Sequence, residues 1–288
     1  MRLSTGIYPF AEKYGDYAAA EKIKAWGFDC LDYGFFSKYG KAFLNGDHVE
    51  YATKLRAHLD EVGIVCNQAH APSCKGAEWN EEDPKFLAVI KAMEAASILG
   101  AEHIIVHPQA LHPFQEKKVG LVDYNEKFYA TLQPYCEKFG IKIGVENVFS
   151  YNETFGVYMP IIGRPEEINE LMSRLDERYF GFCWDIGHTV FAQYCPEDFI
   201  LELDKGLVKC LHVHDNYYNS DAHTLPHLGR FNWRKIIQGL RAHGYQGDFT
   251  FETTNFIRRM PIELVDDAAE FMVKVGRRFV KKLERPIE

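Results

Sequence analysis

Carboxylates and histidines recur along the chain, each just after a short apolar run: Gln68-Ala69-His70-Ala71-Pro72, Val106-His107-Pro108, Val145-Glu146-Asn147, Trp184-Asp185-Ile186-Gly187-His188, His212-Val213-His214-Asp215-Asn216 and Phe251-Glu252-Thr253. Oxygen and imidazole donors without thiolates suit Mn2+, Mg2+, Co2+ or Zn2+. Three carboxylates and a histidine (Glu146, Asp185, His214 and Glu252) would leave coordination positions open for two substrate oxygens, the arrangement of a catalytic rather than a structural site. His212 and His214 face the same side of their strand. The later residue lies nearer the strand end, so His214 is read as the ligand and His212 as an interior group behind it. His188, three residues past Asp185, suits a substrate contact. Any one of these groups could equally be a cap or a satisfied core residue; six in succession point to a shared site.

A shared site requires elements that bring these ends together. Eight strands are predicted at Leu3–Tyr8, Phe28–Tyr33, Ile64–Ala69, His103–Val106, Lys142–Glu146, Phe180–Asp185, Lys209–His214 and Gly247–Glu252. Runs such as Ile104-Ile105-Val106 are too continuously apolar for a half-exposed strand and read as covered on both sides. Helical spacing fills the gaps: Ala18–Trp26, Val49–Val62, Phe86–Ile98, a stripe from Tyr124 to Phe139 that Pro134 should bend or interrupt, Ile168–Leu175, Phe199–Leu207, Trp233–Leu240 and Ile262–Leu283. Gly27, Gly63, Gly100, Gly140, Gly206 and Gly244 stand where helices should stop. Strict alternation implies parallel strands, with an open doubly wound sheet as the competing outcome. At 288 residues the better expectation is one (β/α)8 barrel over 1–288, whose strand ends meet at a single C-terminal rim.

Composition narrows the chemistry. The 33 Lys+Arg against 41 Asp+Glu leave a net charge of -8, which disfavours a phosphate-backbone partner. The seven cysteines form no C-x-x-C pair, so neither a disulfide framework nor a thiolate zinc site is suggested. No apolar run is long enough for a transmembrane helix, and no export signal is seen, so a cytoplasmic protein is expected. No nucleotide-binding, serine-hydrolase or zinc-protease motif occurs. Cys66, Cys183 and Cys210 read as small core residues, and His48, His58 and His243 as solvated. Tyr8, Phe35, Phe36, Phe149 and Trp184 could stack on a ligand or simply pack.

Around these residues the chain resembles the xylose isomerase-like TIM barrels, which include sugar phosphate isomerases and epimerases, ketose 3-epimerases and the endonuclease IV type of AP endonuclease. The resemblance rests on Glu146-Asn147, Asp185-x-x-His188, the His-x-His-Asp segment, and the stretch from Asp221-Ala222-His223 through Pro226-His227-Leu228-Gly229 to Trp233. It implies one divalent metal, with Mn2+ favoured, held by Glu146, Asp185, His214 and Glu252. The two glutamates would also be the acid/base pair that moves a proton through an enediolate of a sugar or sugar phosphate. It further implies that His188, His107, His70 and Glu153 contact substrate. The arginine that epimerases show after the seventh-strand histidine is missing; Asp215-Asn216-Tyr217-Tyr218 stands there. Arg230, Arg258 and Arg259 could take over the far end of a substrate. Asp221 and His223, together with His70 and His107, complete the nine ligand positions of a trinuclear zinc endonuclease, which is the second reading. A metal-dependent sugar lyase or dehydratase and a sugar-binding barrel without turnover are further alternatives. A homo-oligomer is expected from the resemblance alone.

Overall fold

A strand buried on both faces must be covered by helices on one side and by its own barrel on the other. The computed structural model of the chain, which describes residues 1–36, 44–110, 120–153 and 156–285, has this arrangement. Its main sheet contains β1 (Leu3–Gly6), β2 (Cys30–Gly34), β3 (Val65–His70), β4 (His103–Val106) and β5 (Lys142–Glu146). After an antiparallel hairpin, β6 (Val148–Asn152) and β7 (Val157–Ile161), it continues with β8 (Phe180–Asp185), β9 (Val208–His212) and β10 (Phe249–Phe251). The eight sheet strands run in the order β10-β1-β2-β3-β4-β5-β8-β9. Beyond β9, the Val213 amide donates to Thr250 O at 2.9 Å and the Glu252 amide donates to Val213 O at 3.1 Å, which brings the two edges together. The result is the expected (β/α)8 barrel.

The surrounding helices are α1 (Tyr8–Tyr14), α2 (Asp16–Trp26), α3 (His48–Val62), α4 (Pro84–Leu99), α5 (Leu121–Phe139), α6 (Pro165–Arg174), α7 (Pro196–Glu202), α8 (Trp233–His243), α9 (Thr254–Arg258) and α10 (Val265–Leu283). Local chemistry sets their limits. The Asp47 side chain accepts from the Glu50 amide at 2.9 Å to start α3, and proline opens α4, α6 and α7, where its missing N–H costs nothing. Left-handed glycines close α2, α3, α4, α5 and α8.

The structure differs from the sequence reading in several places. The first strand stops at Gly6 rather than Tyr8, because Pro9 lies in the first turn of α1. Helix α5 runs unbroken through Pro134; Pro134 and Ala130 are exposed, so water can take the carbonyl that the proline cannot serve. The sixth helix begins and ends earlier than expected, at Pro196 and Glu202, and left-handed Gly206 shapes the turn that follows. His243 is buried and its Nε2 accepts the Val208 amide at 3.2 Å, while His48 pairs with Glu94 at 2.8 Å; neither is a solvated surface group. Among the described residues no helix is long and apolar enough to cross a membrane.

The main hydrophobic core lies between helices and strands. Inside the barrel a separate small cluster, Ile105, Cys183 and Cys210, forms an apolar plug. Polar side chains fill the interior above it.

Candidate active site at the strand ends

Strands β5, β8 and β9 end on Glu146, Asp185 and His212, and β10 is followed directly by Glu252. One ligand atom from each of these four residues lies within 4.8 Å of the other three. Glu146, Asp185 and His212 are fully or almost fully buried, and Glu252 is partly open. A second group, His70, Glu146 and His212, shares two of these residues. A third comprises His188, His214, Asp221 and His223. The sequence reading set His214 beside Glu146, Asp185 and Glu252; in the structure His212 gathers with those three, while His214 keeps a contact with Asp185 and falls in the third group. The reason is local. Strand β9 ends at His212, Val213 bridges Phe251 of β10, and His214 packs against Gly187 in the turn that follows β8. Its Nε2 lies 3.1 and 3.2 Å from the two Asp185 oxygens, and its ring stacks on His223 at 4.0 Å.

His212 sits between two carboxylates. Its Nδ1 donates to Glu146 Oε1 at 2.8 Å and its Nε2 donates to Asp32 Oδ2 at 3.2 Å. Asp32 Oδ2 also accepts from Gln68 Nε2 at 2.9 Å, and Gln68 Oε1 accepts from Thr250 at 3.3 Å. A continuous column of buried polar groups thus runs from the barrel interior to Glu146. Since both partners of His212 are acceptors, both its ring nitrogens carry protons in this arrangement. Burial alone would lower the His212 pKa, but the charges of Glu252 and Glu146 outweigh it and hold it well above the ordinary value.

On the β3–β4 side, His70 Nδ1 donates to Ala71 O at 2.8 Å, which turns its Nε2 toward His107 Nε2 at 3.1 Å. The two Nε2 atoms lie 3.5 and 2.8 Å from Glu146 Oε2. On the β8 side, Asn147 and Asp185 exchange hydrogen bonds, Asn147 Nδ2 to Asp185 O at 2.9 Å and the Asp185 amide to Asn147 Oδ1 at 2.8 Å. The His188 amide donates to Asp185 Oδ1 at 2.7 Å, and its ring lies 3.7 Å from Asp221. Burial pushes the Glu146 carboxyl upward, yet His212 and His107 hold it well below the usual carboxylate range. Asp185 is drawn to about 2 against its burial by His188 and His214. His223, where burial is outweighed by the Glu252 charge and the Asp221 hydrogen bond, rises to about 9.

Asp221 and His223 are carried by the loop after β9, and Asp215 holds that loop. Asp215 Oδ1 accepts from the Asn216 and Phe231 amides at 2.8 and 3.1 Å, and Oδ2 accepts from the His227 amide and Trp233 Nε1 at 2.9 and 2.7 Å. Asp215 itself is fully buried and both its oxygens are taken up by these contacts, so it has no oxygen left for chemistry. Glu153 is exposed between β6 and β7 and lines neither cavity at the strand ends. Trp184 is buried, stacks on Phe199 and donates to Thr189 Oγ1 at 3.0 Å, which removes it from the mouth. Arg258 lies over the Tyr8 ring and pairs with Glu12.

A cavity of about 250 Å3 opens over the site, lined by Phe36, His70, Ala71, Ser73, His107, Glu146, His188, Asp221, His223 and Glu252. A narrower one beside it is lined by Thr5, Tyr8, Asp32, Phe36 and Thr253 among others. Among the described residues neither contains a lysine or arginine. Sequence reasoning missed Asp32 and gave His212 too small a part. A carboxylate inside the apolar run Cys30-Leu31-Asp32-Tyr33 was the available signal, because a buried charge needs a partner.

Comparison with known proteins gives the same architecture. Residues 20–275 match the family described as xylose isomerase-like TIM barrel. The uncharacterised protein MJ1311 of Methanocaldococcus jannaschii is 27% identical over 272 residues, covering 92% of this chain and 87% of that one. A D-tagatose 3-epimerase-like protein superposes with a TM-score of 0.73 at 21% identity, covering 98% of each chain. A D-psicose 3-epimerase gives 0.73 at 15% identity, covering 97% of this chain and 99% of that one.

Proposed function

We propose that the chain, which belongs to the xylose isomerase-like TIM barrel family, isomerises or epimerises a small sugar by moving a proton next to a carbonyl, with the help of a divalent cation. The observation that carries this reading is the convergence of Glu146, Asp185, His212 and Glu252, in which Glu252 Oε2 is buried and accepts no hydrogen bond. Buried carboxylate oxygens without donors are costly unless something positive meets them. A cation fits that need, and the donor set is hard oxygen plus imidazole, which suits Mn2+ first and Mg2+, Co2+ or Zn2+ as well.

Such a cation would polarise sugar oxygens and stabilise the negative charge that develops when a neighbouring carbon loses its proton. The protein's own groups do the rest. Glu146 and Glu252 are the acid/base pair: one removes the proton from the carbon and the other returns it. His212 would hold the cation through Nδ1, with its Nε2 on Asp32 as the support that orients a metal-binding imidazole. His188, His107 and His70 face the cavity and bind sugar hydroxyls, with Phe36 as an apolar wall. His214 supports Asp185 from behind.

The test is solvent deuterium exchange. Purified protein with Mn2+, incubated in D2O with ketoses and aldoses, should place deuterium on one carbon of its substrate. Glu146→Gln and Glu252→Gln should each lower the rate by about a hundred- to ten-thousand-fold while remaining folded. Exchange that survives in either variant removes that glutamate from the role.

The third group, His188, His214, Asp221 and His223, favours one second reading: a multinuclear site that hydrolyses a phosphodiester. Nicking of abasic DNA, with more than one ion bound per chain, would replace the first reading. The net charge of -8 speaks against such a partner.

A further inference from the structure

At the opposite end of the barrel a cavity of about 370 Å3 is lined by Arg2, Asn67, His103, Lys209, Cys210 and Asp248 among others. These residues lie at or near the beginnings of strands, so the cavity is separated from the candidate active site by the length of the barrel. Cys210 lies at its wall, and His103 lines the same cavity. Cys183 is the direct partner of Cys210 in the parallel pairing of β8 and β9. In-register residues on paired strands point to the same side, and with Ile105 the two cysteines form the plug inside the barrel. Neighbouring strands lie about 4.8 Å apart, within the range of about 4.4–6.8 Å between Cα atoms that a disulfide spans. Among the described strand pairs no other two cysteines are opposed in register. Cys183 is fully buried and absent from the cavity wall.

We propose that Cys210 and Cys183 are a modification site: a dithiol that hydrogen peroxide entering the basal cavity oxidises to a disulfide. The Cys210 sulfur attacks the nearer peroxide oxygen and the O–O bond breaks. The thiol proton passes by way of His103 to the departing hydroxide, giving water and Cys210 sulfenic acid. The Cys183 sulfur then attacks the Cys210 sulfur; the S–O bond breaks, and the hydroxyl leaves with the Cys183 proton as a second water. Two thiols lose two electrons and the peroxide gains them. The asymmetry of exposure sets the roles, with Cys210 reached first and Cys183 resolving it. Because Asp185 and His212 follow these cysteines by two residues on the same strands, a cross-link here would bind together the two strands beneath the candidate site.

The experiment treats the reduced full-length protein with hydrogen peroxide, alkylates the remaining thiols under denaturing conditions and maps the peptides. Two of the seven cysteines should be lost to alkylation and recovered as a Cys183–Cys210 cross-linked peptide that dithiothreitol releases. In Cys183→Ser, a 1,3-dione probe should label Cys210 as the sulfenic acid. In Cys210→Ser, the cross-link should vanish and Cys183 should stay unlabelled. A wild-type map in which both thiols remain free, or in which exposed Cys195 alone is oxidised, overturns the proposal. That map decides even if a variant fails to fold.

Discussion

Asp215→Asn isolates the loop-holding role of a residue that its sequence context links to the chemistry. The substitution keeps shape and volume, so it opens no cavity. Each carboxylate oxygen accepts two hydrogen bonds, from the Asn216 and Phe231 amides on one side and from the His227 amide and Trp233 Nε1 on the other. Whichever way the new amide turns, its NH2 faces two donors. Two buried N–H groups lose their acceptor at about 1–3 kcal/mol each, which gives about 4 kcal/mol of destabilisation. For a chain of this size that corresponds to a fall of roughly 8–16 °C in Tm. Denaturant titration should show the loss with little change in slope, and hydrogen exchange should quicken at the His227 and Phe231 amides. A loss below about 1 kcal/mol, or a fully stable variant that is simply inactive, would refute the loop-holding role.

Gly187→Ala tests the packing of His214. A Cβ there would lie 1.8 Å from His214 Cε1, and the backbone φ of -72° is ordinary, so the effect comes from contact alone. Overpacking should cost about 1–3 kcal/mol and push the ring off Asp185, read as a lower Tm and a weaker metal affinity; a neutral result would show that the ring has room to move. The pH dependence of the metal-free protein follows His223, whose folded pKa of about 9 lies above its unfolded value. Its contribution is complete below pH about 6.5 and is lost as pH rises through 9. Urea midpoints should therefore fall between pH 7 and 10, and His223→Gln should flatten that slope; an unchanged slope would contradict the assignment.

Much of the architecture could be read from the residues because it rests on local rules. Apolar runs such as Ile104-Ile105-Val106 have few ways to be buried, and Gly63 or Gly140 after a helical stripe marks a stop without reference to distant contacts. The convergence at one rim followed from alternation alone. What resisted was long-range or sub-residue in scale. His212 and His214 share a face by period, and their separation into different groups depends on what each meets, Glu146 and Asp32 for His212 and Asp185 and Gly187 for His214, which no pattern in β9 announces. The ionic partner of Asp32, His212, is 180 residues away, so its charge stood out only as an anomaly in an apolar strand. Hairpin β6–β7 was missed because only Val148, Pro160 and Ile161 in it are buried, which hides the alternation among loop residues. Asp215 looked like part of a reactive segment, and only its four donors show it to be a fastener.

The most direct test of the central claim is anomalous diffraction from crystals of the protein soaked in Mn2+. The account predicts a peak bounded by Glu146, Asp185, His212 and Glu252, with loss of that peak in Glu252→Gln. A protein that takes up no ion at this position, or one whose only ion sits elsewhere on the surface, would contradict it.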